Sequence, residues 1–275
     1  MTELKYVGEI DYSQIIIEKE LGAGGFGSVH LVKYRGMTCA MKQLKLTHCD
    51  NSKKKKLVSS LKLEAEALSK LGQCPYIIQF IGTCIGSGNT MCMLMEYING
   101  RDLAKFIEKD CDIFNWDLRQ RVTIEIALGM NFIHSKGIIH RDIKSDNILI
   151  DCSGEMYRAK IADFGICRVE KEDFEAEKTM TFMGAGSPCW MAPELFNKIG
   201  IEPTKKTDIY ALGVVMWEIC ALKRPFQNMD HHQIGINKLN GTIEEVPSST
   251  PQNYKELMMR CQHPDPIIRP FADEV

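Results

Sequence analysis

One stretch decides how the rest is read: Ile138-Ile139-His140-Arg141-Asp142-Ile143-Lys144-Ser145-Asp146-Asn147-Ile148-Leu149-Ile150. Apolar residues of the kind that form buried strands flank a dense polar cluster. The cluster carries a carboxylate at Asp142, a cation at Lys144 and an amide at Asn147. A plain solvated turn does not need apolar walls on both sides, so these groups are expected at the edge of a core. Asp163-Phe164-Gly165 follows farther along, again after an apolar pair, Ile161-Ala162. Oxygens from Asn147 and Asp163 arranged around a phosphate suit a hard cation such as Mg²⁺.

A second stretch bears on the first. Residues 22–29 read Gly-Ala-Gly-Gly-Phe-Gly-Ser-Val, with glycines at Gly22, Gly24 and Gly27 in a G-x-G-x-x-G spacing. Glycine there lets backbone N–H groups approach phosphate oxygens with no Cβ in the way. A dinucleotide-binding fingerprint has the same spacing but opens a helix. Here Val29 to Tyr34 follow, so the glycines belong to a strand–turn–strand, and alone they fit a plain glycine hairpin equally well. Lys42 then lies in Cys39-Ala40-Met41-Lys42, and Glu64 lies on a helical run. An ion pair between them could hold the lysine pointed at phosphates.

The surroundings are ordinary for a globular chain. The 275 residues carry a net charge of −2, with 44% hydrophobic and 25% charged residues. Length predicts one large domain or two lobes. The near-neutral balance argues against nucleic-acid or membrane binding driven by bulk charge. The 11 cysteines form no C-x-x-C pair, which argues against a disulfide framework or zinc site. Free, packed thiols in a reducing, cytoplasmic setting are expected. The start has no apolar signal region. The apolar run Ile209–Leu222 is too short and, with Glu218, too polar to span a bilayer.

Short runs at Ile15–Ile17, Val29–Tyr34, Thr38–Lys42 and Met91–Tyr97 predict strands. Leu57–Leu71 predicts one amphipathic helix. After about Gly100 the pattern turns helical, with long runs at Leu118–Ser135 and Thr207–Leu222, the latter capped by Thr207 or Asp208. Lys53–Lys56 is expected as a solvated loop before the first helix, with a docking patch for an acidic partner as the alternative. Residues 170–178, Glu-Lys-Glu-Asp-Phe-Glu-Ala-Glu-Lys, are expected as an exposed, mobile loop.

Taken in order, Gly22/Gly24/Gly27, Lys42, His140-Arg141-Asp142, Asn147, Asp163-Phe164-Gly165 and Ala192-Pro193-Glu194 resemble the motif set of protein kinases. The likeness covers about Ile15 to Arg269. It implies an α+β, two-lobe protein-kinase-like fold: residues 1–275 as one kinase domain, with a small β-rich N-lobe of one main helix over about 1–98 and a larger, mostly helical C-lobe over 99–275. It implies ATP, with Mg²⁺ or Mn²⁺, and protein substrates. Lys42 is implied to contact the α- and β-phosphates and to pair with Glu64, with Glu66 as the competing acid. Asp163 and Asn147 are implied as metal ligands, Asp142 as the group that accepts the substrate hydroxyl proton, and Lys144 as the stabiliser of the transferring phosphoryl group. Met93–Gly100 resembles the hinge between lobes. Glu96 and Ile98 are implied to offer backbone groups to adenine, Met95 to guard the back pocket and Asp102 to reach the ribose. Leu21, Val29, Ala40 and Leu149 are implied to enclose the adenine.

Phe80, Leu68, Phe164 and His140 match the family's apolar spine. Asp208 is implied to anchor the catalytic loop, Glu194 and Arg269 to form a buried ion pair, and Ser187 to contact Asp142 and Lys144. Lys144 and the run Gly186–Glu194 resemble serine/threonine kinases. Glu9–Gln14, Phe80–Cys84 and Val214–Ile219 resemble the tyrosine-kinase-like group, with Ste20-like kinases as the alternative. Arg141 before Asp142 implies control by phosphate on the activation loop, at Thr179 or Thr181. A pseudokinase scaffold or a dual-specificity kinase are the alternative functions. Two departures stand out: Cys74 replaces the family's usual histidine, and the chain stops at Val275, where the family's last helix is expected to continue. Cys167, two residues after Gly165, is expected close enough to the nucleotide site to be oxidised or alkylated.

Overall fold

The computed structural model describes residues 8–24, 27–45, 50–169, 187–197 and 201–275. Strands β1 (Ile15–Gly24), β2 (Gly27–Tyr34) and β3 (Met37–Leu44) follow one another, then helix α1 (Asn51–Leu71) and strands β4 (Phe80–Gly86) and β5 (Thr90–Glu96). They form one antiparallel sheet in the order β1-β2-β3-β5-β4. Alternation sends the two faces of this sheet to different partners. Val32, Tyr34, Cys39, Met41, Cys84, Cys92 and Leu94 make a small core of their own. Leu44, Met91 and Met93 join the main core, where α1 supplies Leu57, Leu61, Ala65, Leu68 and Leu71.

Two local expectations change here. Lys53–Lys56 is not a loop, because α1 already begins at Asn51 and Asp50 caps it, accepting from Lys53 N at 2.7 Å. The first turn and a half buries nothing, so an apolar period starting at Leu57 could not reveal it. Strand β4 was not among the expected strands. Its glycines at positions 82 and 86 leave too few side chains for a clear alternation.

Beyond the hinge come β6 (Gly100–Asp102), α2 (Leu103–Lys109), α3 (Trp116–Ser135), β7 (Ile138–Ile139), β8 (Ile148–Asp151), β9 (Arg158–Ile161) and β10 (Arg168–Val169). Helices α4 (Glu194–Asn197), α5 (Lys205–Ala221), α6 (His231–Leu239) and α7 (Gln252–Cys261) complete the helical part. The architecture is the expected small β-rich part followed by a larger helical one. Strands β6, β8 and β9 pair side by side, and β7 pairs with β10. These pairs turn Ile138-Ile139 and Ile148–Ile150 into the buried flanks read from sequence, with Ile138, Ile148 and Ile150 fully enclosed.

Helix α5 is buried on every side from Thr207 to Cys220. Its cap differs from the expectation. Thr204 is the N-cap, and Thr207, three residues on, accepts from Thr204 N at 3.1 Å. Asp208 is thereby free to serve the site. Arg269, fully buried, donates twice to Glu194 at 2.7 Å each, as expected. Removing one member of such a pair commonly costs about 3–5 kcal/mol. Among the described residues every cysteine is a free thiol. No helix among them is long and apolar enough to cross a membrane.

Candidate functional site

Strand β3 brings Lys42 to the inner face of the sheet, and α1 brings Glu64 against it. Lys42 Nζ lies 2.7 Å from Glu64 Oε2 and 3.2 Å from Asp163 Oδ1, just after β9. Glu64 is buried whereas Glu66 is exposed, which settles the choice between the two acids. Burial opposes the charge on Lys42, but the Glu64 and Asp163 carboxylates outweigh it and hold the amine protonated well above its ordinary range. Burial pushes the Glu64 carboxyl up against the pull of Lys42. Burial also raises Asp163, yet Lys42 overcomes it and keeps that carboxyl below its usual value. A second link runs beside this triad, from Ser60 Oγ on α1 to Gly165 O at 2.6 Å.

The polar cluster is held from behind. Asp208 on α5 accepts from the backbone N–H groups of His140 and Arg141 at 2.9 Å each and from His134 Nε2 at 2.9 Å. Those bonds hold Arg141 at φ 71°, and Asp163 sits at φ 60°. Non-glycine residues rarely adopt this backbone region, and such strain gathers at functional sites. His140 is buried, packs its ring against Phe164 at 4.6 Å with the two planes tilted by 60°, donates from Nε2 to Ala162 O and accepts at Nδ1 from Asp142 N. Burial lowers its basicity, so the ring is neutral and its place is in the packing. Leu68 and Phe164 are likewise enclosed, and Phe80 packs against the same core.

In front, Lys144 Nζ donates to Asp142 Oδ2 at 2.7 Å and to Ser187 Oγ at 3.1 Å. Asn147 Nδ2 donates to the Asp142 carbonyl at 2.8 Å and to its carboxylate at 2.9 Å. The amide oxygen of Asn147 is therefore the atom left for a ligand. Ala162 N donates to Asn147 O at 2.9 Å, which sets Asp163 beside Asn147. A carboxylate and an amide oxygen suit Mg²⁺, which commonly binds through one or two protein oxygens plus substrate phosphates. Among the described residues, no three His, Cys, Asp or Glu side chains converge on a metal site.

The glycines turn out to differ. A Cβ on Gly27 would lie 2.2 Å from Gln43 O, so the close approach of β2 to β3 demands glycine there. At Gly22 and Gly24 a Cβ would meet nothing within 4 Å. Packing does not require glycine at those two positions. Ala40 pairs with Met95 across β3 and β5, Val29 with Lys42 across β2 and β3, and Leu149 with Asp102 across β6 and β8. Leu21 is exposed on β1. Glu96 Oε1 accepts from Gln79 N at 2.8 Å and from Lys160 Nζ at 2.6 Å, while Ile98 follows at the crossing between the two parts. Asp102 caps α2, accepting from Lys105 N at 2.8 Å, and also pairs with Lys105 Nζ.

Two findings go beyond or against the sequence reading, and one expectation falls outside the described residues. Cys167 is buried, and burial pushes its thiol up to about 12, so it is not the reactive thiol expected. Thr179 and Thr181 lie outside the described residues. Glu218, noted in the sequence only as the acid interrupting an apolar run, is fully buried and accepts from Ser145 Oγ at 2.7 Å and Trp190 Nε1 at 2.8 Å. It joins the Asp142 loop to the Ser187–Ala192 segment, with Arg224 also donating to it at 3.3 Å.

Comparison with known proteins agrees with this geometry. A family model described as protein tyrosine and serine/threonine kinase matches residues 15–275. A Dictyostelium discoideum protein named a probable serine/threonine-protein kinase is 33% identical over 268 residues, 97% of this chain and 28% of its own length. The same organism's probable serine/threonine-protein kinase drkD is 33% identical over 275 residues, 99% of this chain and 20% of its own. Its drkC, of the same description, is 32% identical over 270 residues, 97% of this chain and 34% of its own. The chain thus spans about a third or less of each of these curated relatives.

Glu218 also sets a pH dependence. Burial pushes its carboxyl from an ordinary 4.5 up to about 7, against the pull of Ser145, Trp190 and Arg224. Between those values the folded state holds a proton that the unfolded chain has lost, so stability falls as pH rises through that window. Urea unfolding of wild type and Glu218→Gln at pH 5 and pH 8 checks this. The wild type is expected to lose up to roughly 3 kcal/mol relative to the variant between the two. Parallel pH profiles would contradict it.

Proposed function

This chain belongs to the protein tyrosine and serine/threonine kinase family, and from that premise we propose that it transfers the γ-phosphoryl group of ATP to serine and threonine hydroxyls of protein substrates. The observation that carries the reading is Lys42 held between Glu64 and Asp163, one cation fixed by two carboxylates from different parts of the fold. Phosphoryl transfer needs little covalent help from a protein. It needs positioning and fixed charge.

Each residue has a part in that reading. The open backbone at Gly22 and Gly24 covers the phosphates, and Lys42 meets the α- and β-phosphates. Leu21, Val29, Ala40 and Leu149 enclose adenine, Met95 bounds the pocket behind it, and Glu96 and Ile98 offer it backbone groups. Asp102 keeps its cap on α2 while reaching the ribose. Asn147 and Asp163 hold Mg²⁺ or Mn²⁺, which neutralises charge on the phosphates. Asp142 takes the hydrogen bond and then the proton of the acceptor hydroxyl. Lys144 and Asn147 fix its carboxylate, and Lys144 faces the group in transit. Serine/threonine specificity is supported by Lys144 reaching Ser187 and by the names of the relatives.

Asp142→Asn is expected to lower transfer from radiolabelled ATP to a generic protein substrate by about 100-fold or more, the usual weight of a general base. No transfer by the wild type, or undiminished transfer by the variant, would contradict the reading. Control by phosphate is part of the same proposal, motivated by Arg141 beside Asp142 and by hydroxyls in an acidic segment. Phosphatase treatment is expected to silence the wild type, and a Thr179→Ala/Thr181→Ala variant is expected to have low activity before and after treatment. Full activity in the variant after phosphatase would sink the switch.

A further inference from the structure

Lys238 on α6 is a lysine with almost no exposure, inside the helical part and away from the triad. Among the described residues no carboxylate lies within ion-pair distance of it. Its Nζ instead donates to Met191 O at 2.8 Å, approaches Tyr210 Oη at 3.4 Å and lies over the rings of Tyr210 and Phe226 at 4.5 and 5.1 Å. A buried amine is costly unless its environment returns the lost hydration, so this one is expected to hold something in place. What it holds is informative. Met191, with Ser187 and Trp190, lines a small pocket whose other wall includes Arg141, Asp142 and Ile143. Helix α6 also packs on α4, with Gly235 against Phe196 and the ring of His231 at 5.6 Å from that of Phe196.

We propose that Lys238 is a positioning residue: through its hydrogen bond to Met191 O it fixes, from behind, the wall of the pocket where a protein acceptor lies beside Asp142. This deepens the phosphotransfer reading and rests on it. The bond acts on the segment from outside the reacting atoms, so its effect falls on acceptor binding and not on ATP. It complements the bond from Trp190 to Glu218, which ties the same segment to α5. The charge on Lys238 adds a dependence on pH. Burial lowers its pKa to about 7, opposed by Cys189, Glu244 and Glu194 and reinforced by Arg269. Tyr210, the nearest titratable group, is raised by burial and stays neutral there. Below that pH the bond to Met191 is charge-assisted, and above it the bond is between neutral groups and weaker.

Lys238→Met keeps the bulk and removes the donor, and Lys238→Gln restores a donor without the charge. Two measurements decide the proposal: amide hydrogen exchange over residues 188–192, and steady-state transfer to a serine/threonine peptide from pH 6 to pH 8. Lys238→Met is expected to exchange faster across that segment and to raise the peptide KM about tenfold below pH 7. Its kcat and its KM for ATP should stay within about twofold, because nothing on the nucleotide side changes. The wild-type peptide KM should rise more steeply through about pH 7 than the variant's, in which only the titration of Glu218 behind Trp190 remains, and Lys238→Gln should recover part of the loss. Unchanged exchange at 188–192, or a fall in kcat with unchanged peptide KM, would overturn the role of Lys238. Absence of transfer by the wild type would overturn the kinase reading instead, and the exchange comparison would still decide whether Lys238 holds the segment.

Discussion

The structure turns on a buried carboxylate. Glu64 has lost nearly all its water, and the amine of Lys42 at 2.7 Å, together with the backbone N–H of Phe164, compensates for that loss. An isolated charge in such a place would be strongly unfavourable, so α1 must stay docked on the sheet for the pair to exist. Asp163 then uses the same amine from the other side, 3.2 Å away. Three elements distant in sequence, β3, α1 and the turn after β9, are bound to one cation. The Ser60–Gly165 bond repeats the same connection a few residues away, so α1 is tied to the Asp163-Phe164-Gly165 turn by two separate contacts.

The second half of the site has its own anchor, of a different kind. Asp208 does not meet a cation face to face but satisfies two backbone N–H groups and a histidine. Backbone donors that would otherwise be buried and unpaired are thereby answered, and Arg141 is held in a backbone region that few side chains tolerate. Helix α5, buried on every side, is a rigid place from which to do this. It carries Asp208 and Glu218, and so holds both the Asp142 loop and the Trp190 segment. Positioning of reacting groups is therefore supplied by the most enclosed helix of the fold.

Most of this was legible where chemistry is carried by residue type. Asp142, Lys144, Asn147 and Asp163 lie between apolar flanks that proved to be strands, whereas the partner of Lys42 stayed open between Glu64 and Glu66 until burial on α1 separated them. What escaped had a physical reason in each case. The start of α1 buries nothing, so hydrophobic periodicity was blind to it, although Asp50 was present as a cap. Strand β4 is interrupted by glycines. Asp102 was read as a ligand group alone, and its cap on α2 appears only once the helix start is seen. Cys167 was judged by its distance along the chain, and burial decides its reactivity. Lys238 gave no signal, since a lysine in a short amphipathic helix is normally solvated.

The central claim is that Lys42, Asp163 and Asn147 form a place for a nucleotide's phosphates and their divalent ion. Calorimetric titration of a non-hydrolysable ATP analogue into the purified chain, with and without Mg²⁺, tests it most directly. Binding by the wild type should strengthen when Mg²⁺ is present, and Asp163→Asn should lose about tenfold or more of that gain, as expected when one buried charge partner is removed. Equal binding by both proteins, indifferent to Mg²⁺, would contradict the account.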